Sequence, residues 1–273
     1  MIQAANRIIQ SLWLGNELSL MEQLSINSFL SNGHEYHLYI YDDVKNIPEG
    51  TTVKNGNEIL PAKRIFTYSV GWGKGSYAGF ADLFRYHLLK IKGGWWVDTD
   101  IVCLKPFNLE SEYVIASSYE RQQGEAANNC VLKIPKDSYL AAYLVEVSDK
   151  AEPNTLKFAD TGPVLIQKAV SELNYQQHVV GHEIFCPITW RAVNKIVYNQ
   201  ELLTFQKAFE LVKDWIKPII IPDTKSGMIT KNSYAVHLWN EVWRQNNLDK
   251  NATYNTTCLY ERLKRQYLYS NSN

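Results

Sequence analysis

The order of local signals at the start of the chain constrains the fold more than any other feature. Arg7–Leu14 is a short apolar run that predicts a first strand, and Ser19 with Glu22 forms the capping box of a helix expected to end near Ser31. Tyr36–Tyr41 carries β-prone residues on both faces, which is typical of a strand buried inside a sheet. Strand, helix and strand in this order predict a mostly parallel sheet covered by helices, and therefore an α/β fold.

Length and composition favour one folded domain. The 273 residues contain neither an internal repeat nor a Pro/Ser-rich linker, so we expect a single domain over 1–273. The 28 basic and 28 acidic residues cancel, which argues against nucleic acid as a partner. The sequence has no apolar run near the ~18 residues that span a bilayer and no secretory layout at its start. Four widely spaced cysteines predict free thiols, so the expected location is cytoplasmic.

A helix bearing a charged pair is predicted over Ala78–Lys92. Its apolar residues recur at helical spacing, and Gly93-Gly94 stops it. Asp82 and Arg85 lie three residues apart and therefore share one face, opposite the apolar stripe. Considered alone, this arrangement predicts an exposed ion pair worth about 0.2–0.5 kcal/mol.

Two carboxylates interrupt the hydrophobic stretch that follows this helix. If Trp95–Val102 is an extended strand, Trp96, Asp98 and Asp100 point to the same side. Two acids facing one way in apolar surroundings repel each other and are costly to bury. The residues alone leave two interpretations open, namely a divalent cation held by both carboxylates or a strand end where both are solvated.

Several further segments have ordinary structural explanations. Val70–Ser76 is rich in glycine but lacks the spacing of either nucleotide-binding loop, so we expect a flexible turn. His237 in the short strand Tyr234–Trp239 is more typical of a core histidine than of a ligand. A helix is predicted over 200–215. Leu259–Leu268 predicts a basic amphipathic helix, which either packs on its own domain or makes a peripheral contact with the inner face of the cytoplasmic membrane.

The order of the motifs resembles that of one family. Phe80–Tyr86 contains D-x-x-R, Gly93–Asp100 contains G-G, an aromatic and D-x-D, and Lys105–Phe107 follows. This series looks like the DXD sugar-binding glycosyltransferases, which include bacterial capsular and lipopolysaccharide transferases, α-1,4-type transferases and initiating mannosyltransferases. The resemblance extends to Arg7–Gly15, Thr161-Gly162-Pro163, and Ala235–Asn240 with Trp243. The 8 Trp and 17 Tyr of the chain agree with stacking on sugar rings and bases.

The resemblance implies a GT-A fold, that is, a single Rossmann-like mixed sheet flanked by helices. The nucleotide-sugar-binding part would be about 1–110 and the acceptor-side part about 111–273. The implied reaction is retaining transfer of a sugar from a nucleotide-diphosphate sugar, with UDP as the expected nucleotide, to a glycan or lipid-linked acceptor in bacterial surface polysaccharide synthesis. Mn²⁺ or Mg²⁺ would neutralise the charge that develops on the diphosphate leaving group.

The resemblance also assigns roles to single residues. Catalytic roles fall to Asp82, Arg85, Asp98 and Asp100. The implied metal ligands are Asp98, Asp100 and His237. The implied donor-binding residues are Trp13, which would stack on the base, together with Asp82, Arg85, Trp96, Asp98, His237 and Trp243. The sequence singles out no nucleophile, and Asn129, Asp160 and Glu241 are candidates only.

Two other functions compete with this interpretation. Asp98-Thr99-Asp100-Ile101-Val102 fits the D-x-D-x-[TV] motif of haloacid-dehalogenase-type phosphatases, with Asp98 as nucleophile. That motif normally lies near the start of its domain and precedes an acidic pair, whereas Asp42-Asp43 lies upstream here. The second alternative is a non-catalytic relative that still binds a sugar nucleotide.

Overall fold

The structure is a computed structural model that describes residues 2–197 and 228–269, so the helix predicted over 200–215 lies outside the described residues. The strands are β1 Ile8–Leu12, β2 Glu35–Ile40, β3 Thr52–Asn55, β4 Gly94–Val97, β5 Ile101–Cys103, β6 Val114–Glu120, β7 Gly124–Ile134 and β8 Ala235–His237. The helices are α1 Ala4–Arg7, α2 Leu20–Ser31, α3 Ala78–Lys92, α4 Tyr139–Ser148, α5 Leu165–Glu172, α6 His182–Phe185, α7 Asn194–Val197, α8 Asn240–Gln245 and α9 Leu259–Tyr267. A π-type turn covers Asp160–Val164.

A mixed six-stranded sheet in the order β3-β2-β1-β4-β7-β6 forms the centre of the molecule. Strands β1 to β4 run parallel to one another, whereas β7 is antiparallel to both β4 and β6. The prediction of an α/β fold with one mixed sheet flanked by helices is confirmed, and β5 and β8 add a small separate pair. Since parallel strands end at one edge, Trp13 after β1 and Asp98 after β4 lie at the same edge of the sheet.

The β1–α2–β2 unit forms as its local signals predict. Ser19 Oγ accepts from the Met21 N–H at 3.2 Å, and Glu22 Oε2 accepts from the Ser19 N–H at 2.8 Å, so both halves of the capping box are present. Helix α3 ends at Gly93, whose φ of 67° lies in the left-handed region. A Cβ at this position would lie 2.4 Å from the Lys136 backbone N, so a side chain there would collide with the chain beside it.

The strand expected over Trp95–Val102 is interrupted, and this part of the prediction is wrong. The chain leaves the sheet after Val97 and turns at Asp98–Asp100, where the Ile101 N–H donates to Asp98 O at 3.1 Å. Beyond the turn, β5 pairs with β8 instead of continuing in the main sheet. The two acids are therefore brought together by a turn and not by the alternation of an extended strand.

The sheet separates two apolar layers. In β4, Trp96 packs into the cluster formed with α3, α4 and α5, whereas Trp95 and Val97 pack into the cluster formed with α2. Four free cysteines, Cys103, Cys130, Cys186 and Cys258, are buried in the described residues. Among the helices described, none has the length and apolar character needed to cross a bilayer.

The C-terminal helix α9 packs on its own domain, and the alternative of membrane contact is not supported. Its residues Leu259, Tyr260 and Leu263 are buried in a third apolar cluster, and α9 contacts α2 and α7. Lys264 is almost completely buried, pairs with Glu261 at 2.7 Å and donates to Ala252 O at 3.0 Å. The apolar stripe is covered by protein and one of the basic residues points inward, so the pattern reflects packing.

Candidate active site

The β5–β8 pair fixes His237 beside the second acid of the D-x-D turn. Ile101 is opposite His237 in this ladder, and the Leu238 N–H donates to Asp100 O at 3.0 Å. His237 Nε2 lies 3.1 Å from Asp100 Oδ2, which also accepts from the Asn240 N–H at 2.7 Å. The Asp100 carboxylate is thereby oriented from two sides, by β8 and by the start of α8.

Asp98, Asp100 and His237 form a group suited to a divalent cation. One ligand atom from each residue lies within 4.8 Å of the others. Carboxylate oxygens with one imidazole nitrogen are donors that Mn²⁺ accepts well, and carboxylates also suit Mg²⁺. The Asp98 side chain is 26% exposed, so the group borders solvent, whereas Asp100 and His237 are buried. The donor set therefore fits the divalent cation implied by the sequence.

The three groups differ in how their charges are compensated. Burial raises the pKa of Asp98 to about 6, and the neighbouring Asp100 carboxylate adds to the rise while Arg85 opposes it. Burial acts upward on Asp100 as well, but the charge and hydrogen bond of His237 bring its pKa below the ordinary value. Burial lowers the pKa of His237, yet attraction to Asp100 outweighs it and the pKa lies well above the usual range. Asp100 and His237 thus form an ion pair, and Asp98 is the least compensated acid.

Arg85 bridges the acid of α3 to the first acid of the turn. Its guanidinium lies 3.2 Å from Asp82 Oδ1 and 3.0 Å from Asp98 Oδ1, and it donates to Asn129 O at 2.6 Å. Arg85 and Asp82 are only 4% and 5% exposed, so the expectation of an exposed ion pair is wrong. The reason is that this face of α3 lies against β7 of the central sheet and against the Asp160–Val164 turn, which cover both side chains.

Asp82 is the centre of a second set of polar contacts. Asn129 Nδ2 donates to its Oδ1 at 2.8 Å, and Thr161 Oγ1 donates to its Oδ2 at 3.1 Å. A Cβ on Gly162 would lie 3.0 Å from Asp82 Oδ2, so a side chain at this position would crowd the oxygen. Burial raises the pKa of Asp82, against the opposing effects of Arg85 and these hydrogen bonds. The T-G-P motif therefore contributes a hydrogen-bond donor, Thr161, and a glycine that leaves space beside Asp82.

Two family models match the chain over the segments that build this geometry. Residues 19–118 match the glycosyltransferase sugar-binding region containing the DXD motif, and residues 154–268 match the alpha 1,4-glycosyltransferase conserved region. The first segment includes Asp82, Arg85, Asp98 and Asp100, and the second includes Thr161 and His237. The chain belongs to the DXD-containing glycosyltransferases.

Solved structures similar to this glycosyltransferase include two described as glycosyltransferases. The PaToxG glycosyltransferase is 16% identical with a TM-score of 0.43, and the match covers 63% of this chain and 74% of that one. The apo form of GlyE from Streptococcus pneumoniae TIGR4 is 12% identical with a TM-score of 0.39, and the match covers 95% of this chain and 63% of GlyE. A search of curated proteins found no match.

Two of the tryptophans to which the resemblance gave a donor-binding role, Trp96 and Trp243, are buried. Trp96 is buried, and its Nε1 donates to Asp98 Oδ1 at 2.9 Å, so it orients an acid and does not offer a face to the donor. Trp243 is completely buried against Tyr260, at 4.9 Å between ring centroids, so it has no exposed surface with which to contact a donor. Both assignments are corrected because packing, and not ligand contact, accounts for these rings.

Trp239 is a site residue that the sequence interpretation missed. Its ring stacks on His237 with centroids 3.9 Å apart, and its Nε1 donates to Ile188 O at 2.7 Å. The residue has a φ of 62°, which is rare for a tryptophan, so tertiary contacts hold it in place. The third position of the H-x-W signature could have indicated this role, because it is the tryptophan closest in sequence to His237.

Trp13 follows β1 at the sheet edge that carries the D-x-D turn. It is partly exposed at the sheet edge that carries Asp98, and Lys250 Nζ lies 5.5 Å from its ring centroid. Its Nε1 is buried without a hydrogen-bond partner in the part of the chain that the structure describes. Contact of this ring with a nucleoside stays a prediction.

The three candidate nucleophiles have structural contacts. Asn129 orients Asp82, Asp160 Oδ2 accepts from the Lys157 N–H at 3.0 Å, and Glu241 pairs with Arg244 Nε at 3.0 Å. The phosphatase alternative requires a free Asp98 nucleophile. Asp98 Oδ1 is instead engaged by both Arg85 and Trp96, and the family matches give that alternative no support.

Proposed function

We propose that the protein is a metal-dependent, retaining glycosyltransferase that moves a hexose from a UDP-sugar to a hydroxyl of a glycan or lipid-linked acceptor. Bacterial surface polysaccharide synthesis is the process that fits the family resemblance. The observation that carries the proposal is the convergence of Asp98, Asp100 and His237 beside the buried Arg85–Asp82 pair. A cation site and a cationic bridge at one sheet edge are suited to a diphosphate, whose charge grows when the glycosidic bond breaks.

Asp98, Asp100 and His237 would hold the cation, with His237 contributing the nitrogen that now pairs with Asp100. Mn²⁺ or Mg²⁺ at this position would supply Lewis-acid stabilisation of the departing diphosphate. The Asn240 N–H keeps Asp100 oriented, and the Trp96 N–H does the same for Asp98. These contacts fix the ligand oxygens in advance and reduce the reorganisation needed at binding.

Asp82 is suited to bind hydroxyls of the donor sugar. An ionised carboxylate offers about four lone-pair directions. Arg85 and Asn129 occupy Oδ1, and Thr161 occupies one direction of Oδ2, which leaves an acceptor position beside Gly162. Hydrogen bonds to a charged acceptor are stronger than neutral ones, so this position favours a polyhydroxylated ligand.

The proposal is tested with a panel of UDP-, GDP- and dTDP-sugars, measuring release of the nucleoside diphosphate with and without Mn²⁺. We expect Mn²⁺-dependent turnover of a UDP-sugar, and proton NMR of the first product formed should show the anomeric configuration of the donor. Asp100→Asn should abolish turnover and weaken Mn²⁺-dependent UDP binding, because it removes the charge of a metal ligand. The amide oxygen of the new asparagine can still accept the hydrogen bond from the Asn240 N–H. Asp149→Asn, at an exposed acid paired with Arg64, is the matched control and should leave turnover unchanged.

Three results would contradict this function. Unchanged turnover in Asp100→Asn would remove the proposed metal role. Release of phosphate from sugar phosphates, without any requirement for a nucleotide sugar, would favour the phosphatase. Binding of UDP with Mn²⁺ but no hydrolysis or transfer for any donor would identify a non-catalytic relative.

A further inference from the structure

Trp72 is exposed in a chain that buries most of its large aromatic side chains. It is 47% exposed, more than any other tryptophan in residues 2–197 and 228–269, whereas Trp95, Trp96 and Trp243 are at most 1% exposed. It lies in the glycine-rich segment Val70–Ser76, called here the glycine loop, which the sequence analysis explained only as a turn. The function proposed above uses no part of this loop.

The glycine loop is held in place by its own backbone. The Tyr68 N–H donates to Ser76 O at 3.0 Å, and the Gly75 N–H donates to Tyr68 O at 2.8 Å, which closes the loop at its base. Gly71 and Gly75 have φ values of 73° and 81°, a conformation that glycine adopts without strain. The exposed indole is therefore presented by a defined turn.

On one side, the glycine loop packs against Phe158, which lies close in sequence to the residues around Asp82. The Trp72 ring packs edge-on against Phe158 with centroids 4.5 Å apart, and Gly73 approaches Phe158 so closely that a Cβ would lie 2.5 Å from its ring. Three residues after Phe158, Thr161 donates to Asp82. The same loop runs directly into α3, since Ser76 Oγ accepts from the Ala78 N–H at 3.2 Å.

On the other side, the glycine loop accepts hydrogen bonds from α8, the helix that begins beside Asp100. Gln245 Nε2 donates to Trp72 O at 2.5 Å, and an Arg244 guanidinium nitrogen donates to Lys74 O at 3.2 Å. Both residues belong to the last part of α8, whose first residue, Asn240, donates to Asp100. At 1.5 Å per residue this helix is on the order of 9 Å long. The glycine loop is therefore connected to the Asp82 end of the site through Phe158 and to the Asp100 end through α8.

We propose that Trp72 forms the acceptor subsite, where its indole stacks on a pyranose ring of a saccharide acceptor. The inference rests on the proposed function and specifies its acceptor as a glycan. An indole face beside hydrogen-bonding groups suits a sugar, which has an apolar C–H face and a rim of hydroxyls. Glu241, Arg244 and Gln245 supply such groups on the adjoining helix. The nucleoside is expected at Trp13, so this second aromatic position is available to the other substrate.

The test compares Trp72→Ala and Trp72→Phe with Tyr139→Ala in the full chain. Tyr139 is 70% exposed and follows β7, whose last residue pairs with the first residue of β4, so it lies at the opposite edge of the sheet. The acceptor probes are p-nitrophenyl α- and β-glycosides of glucose, galactose, mannose and N-acetylglucosamine. Acceptor KM, donor KM and kcat are measured for transfer, and glycoside binding is measured separately by saturation-transfer NMR. Thermal unfolding midpoints establish that each variant is folded.

We expect Trp72→Ala to weaken glycoside binding and raise the acceptor KM by about tenfold, which corresponds to ~1.4 kcal/mol. Trp72→Phe should keep most of the binding because it keeps a ring, and Tyr139→Ala should behave like the unaltered protein. Equal glycoside binding in Trp72→Ala and the unaltered protein would overturn the subsite, as would an equal loss in Tyr139→Ala or failure of every probe to bind. If no nucleotide sugar is turned over, the proposed function fails, and the NMR result still decides whether Trp72 binds sugars.

Discussion

Replacing Arg85 by methionine should destabilise the protein far more than an ordinary ion-pair substitution. The guanidinium lies between Asp82 and Asp98 at 3.2 and 3.0 Å, and it also donates to Asn129 O. Methionine keeps the chain length and removes only the charge and the donors. Two carboxylates, one of them almost completely buried, then lose their shared partner.

The expected loss in the free energy of unfolding is large because only one partner of a buried ion pair is removed. Breaking a buried ion pair by deleting one partner costs about 3–5 kcal/mol, because the remaining charge is left uncompensated. For a domain of this size 1 kcal/mol shifts the unfolding midpoint by about 2–4 °C, so a decrease on the order of 6–20 °C is expected. The matched control is Arg64→Met. Arg64 pairs with Asp149 at 2.8 Å with about a third of each side chain exposed, so its loss should cost no more than about 1 kcal/mol.

The pH dependence of the loss distinguishes charge from packing. Burial already raises the pKa of Asp82 and brings that of Asp98 to about 6 in the intact site. Without Arg85 both values should rise further, so the folded state takes up protons more readily than the unfolded chain as the pH falls. The destabilisation of Arg85→Met should therefore shrink between pH 8 and pH 5, as measured by urea unfolding. A loss equal to that of Arg64→Met, or one independent of pH, would refute the reasoning.

Three further predictions concern ligand binding. Trp13→Ala should weaken UDP binding in calorimetry by ~1–3 kcal/mol, the scale of base–aromatic stacking, and equal affinity would reject the contact. Gly162→Ala should raise the donor KM, because a methyl group would lie 3.0 Å from Asp82 Oδ2, and an unchanged donor KM would contradict this role of the glycine. With the pKa of Asp98 at about 6, Mn²⁺ must displace a proton below that pH. Because the His237 proton must be displaced as well, the affinity should fall by about a further tenfold per pH unit there, and Asp98→Asn should abolish only that additional slope.

The sequence predicted correctly those elements whose signals are local. The capping box of Ser19 and Glu22 sets the start of α2, and Gly93 sets the end of α3, because each acts within one helical turn. The strand expected over Trp95–Val102 failed for the opposite reason. Its interruption depends on β8 and on the Asn240 N–H, which are more than 130 residues away in the chain. The alternation of residues within 95–102 therefore does not indicate it.

The burial of Asp82 and Arg85 could not be predicted from the periodicity of α3 either. The apolar stripe indicates one buried face, but it does not indicate that the face with the ion pair is buried as well. The cover of that face comes from β7 and from the Asp160–Val164 turn. The T-G-P motif belongs to this cover, since Thr161 donates to Asp82 and Gly162 lies beside it. A motif identifies residues of interest, but it does not indicate which other residues they contact.

The charges of the site explain why these residues are arranged as they are. Asp82, Asp98 and Asp100 carry three negative charges when ionised, whereas Arg85 and a protonated His237 carry two positive charges. One negative charge remains, and of these three acids Asp98 is the one whose side chain borders solvent. A divalent cation that displaced the His237 proton would replace one positive charge by two and bring the sum to zero. The electrostatics therefore favour a cation held by Asp98, Asp100 and His237, and they predict that its binding releases a proton even above pH 7, where Asp98 is already ionised.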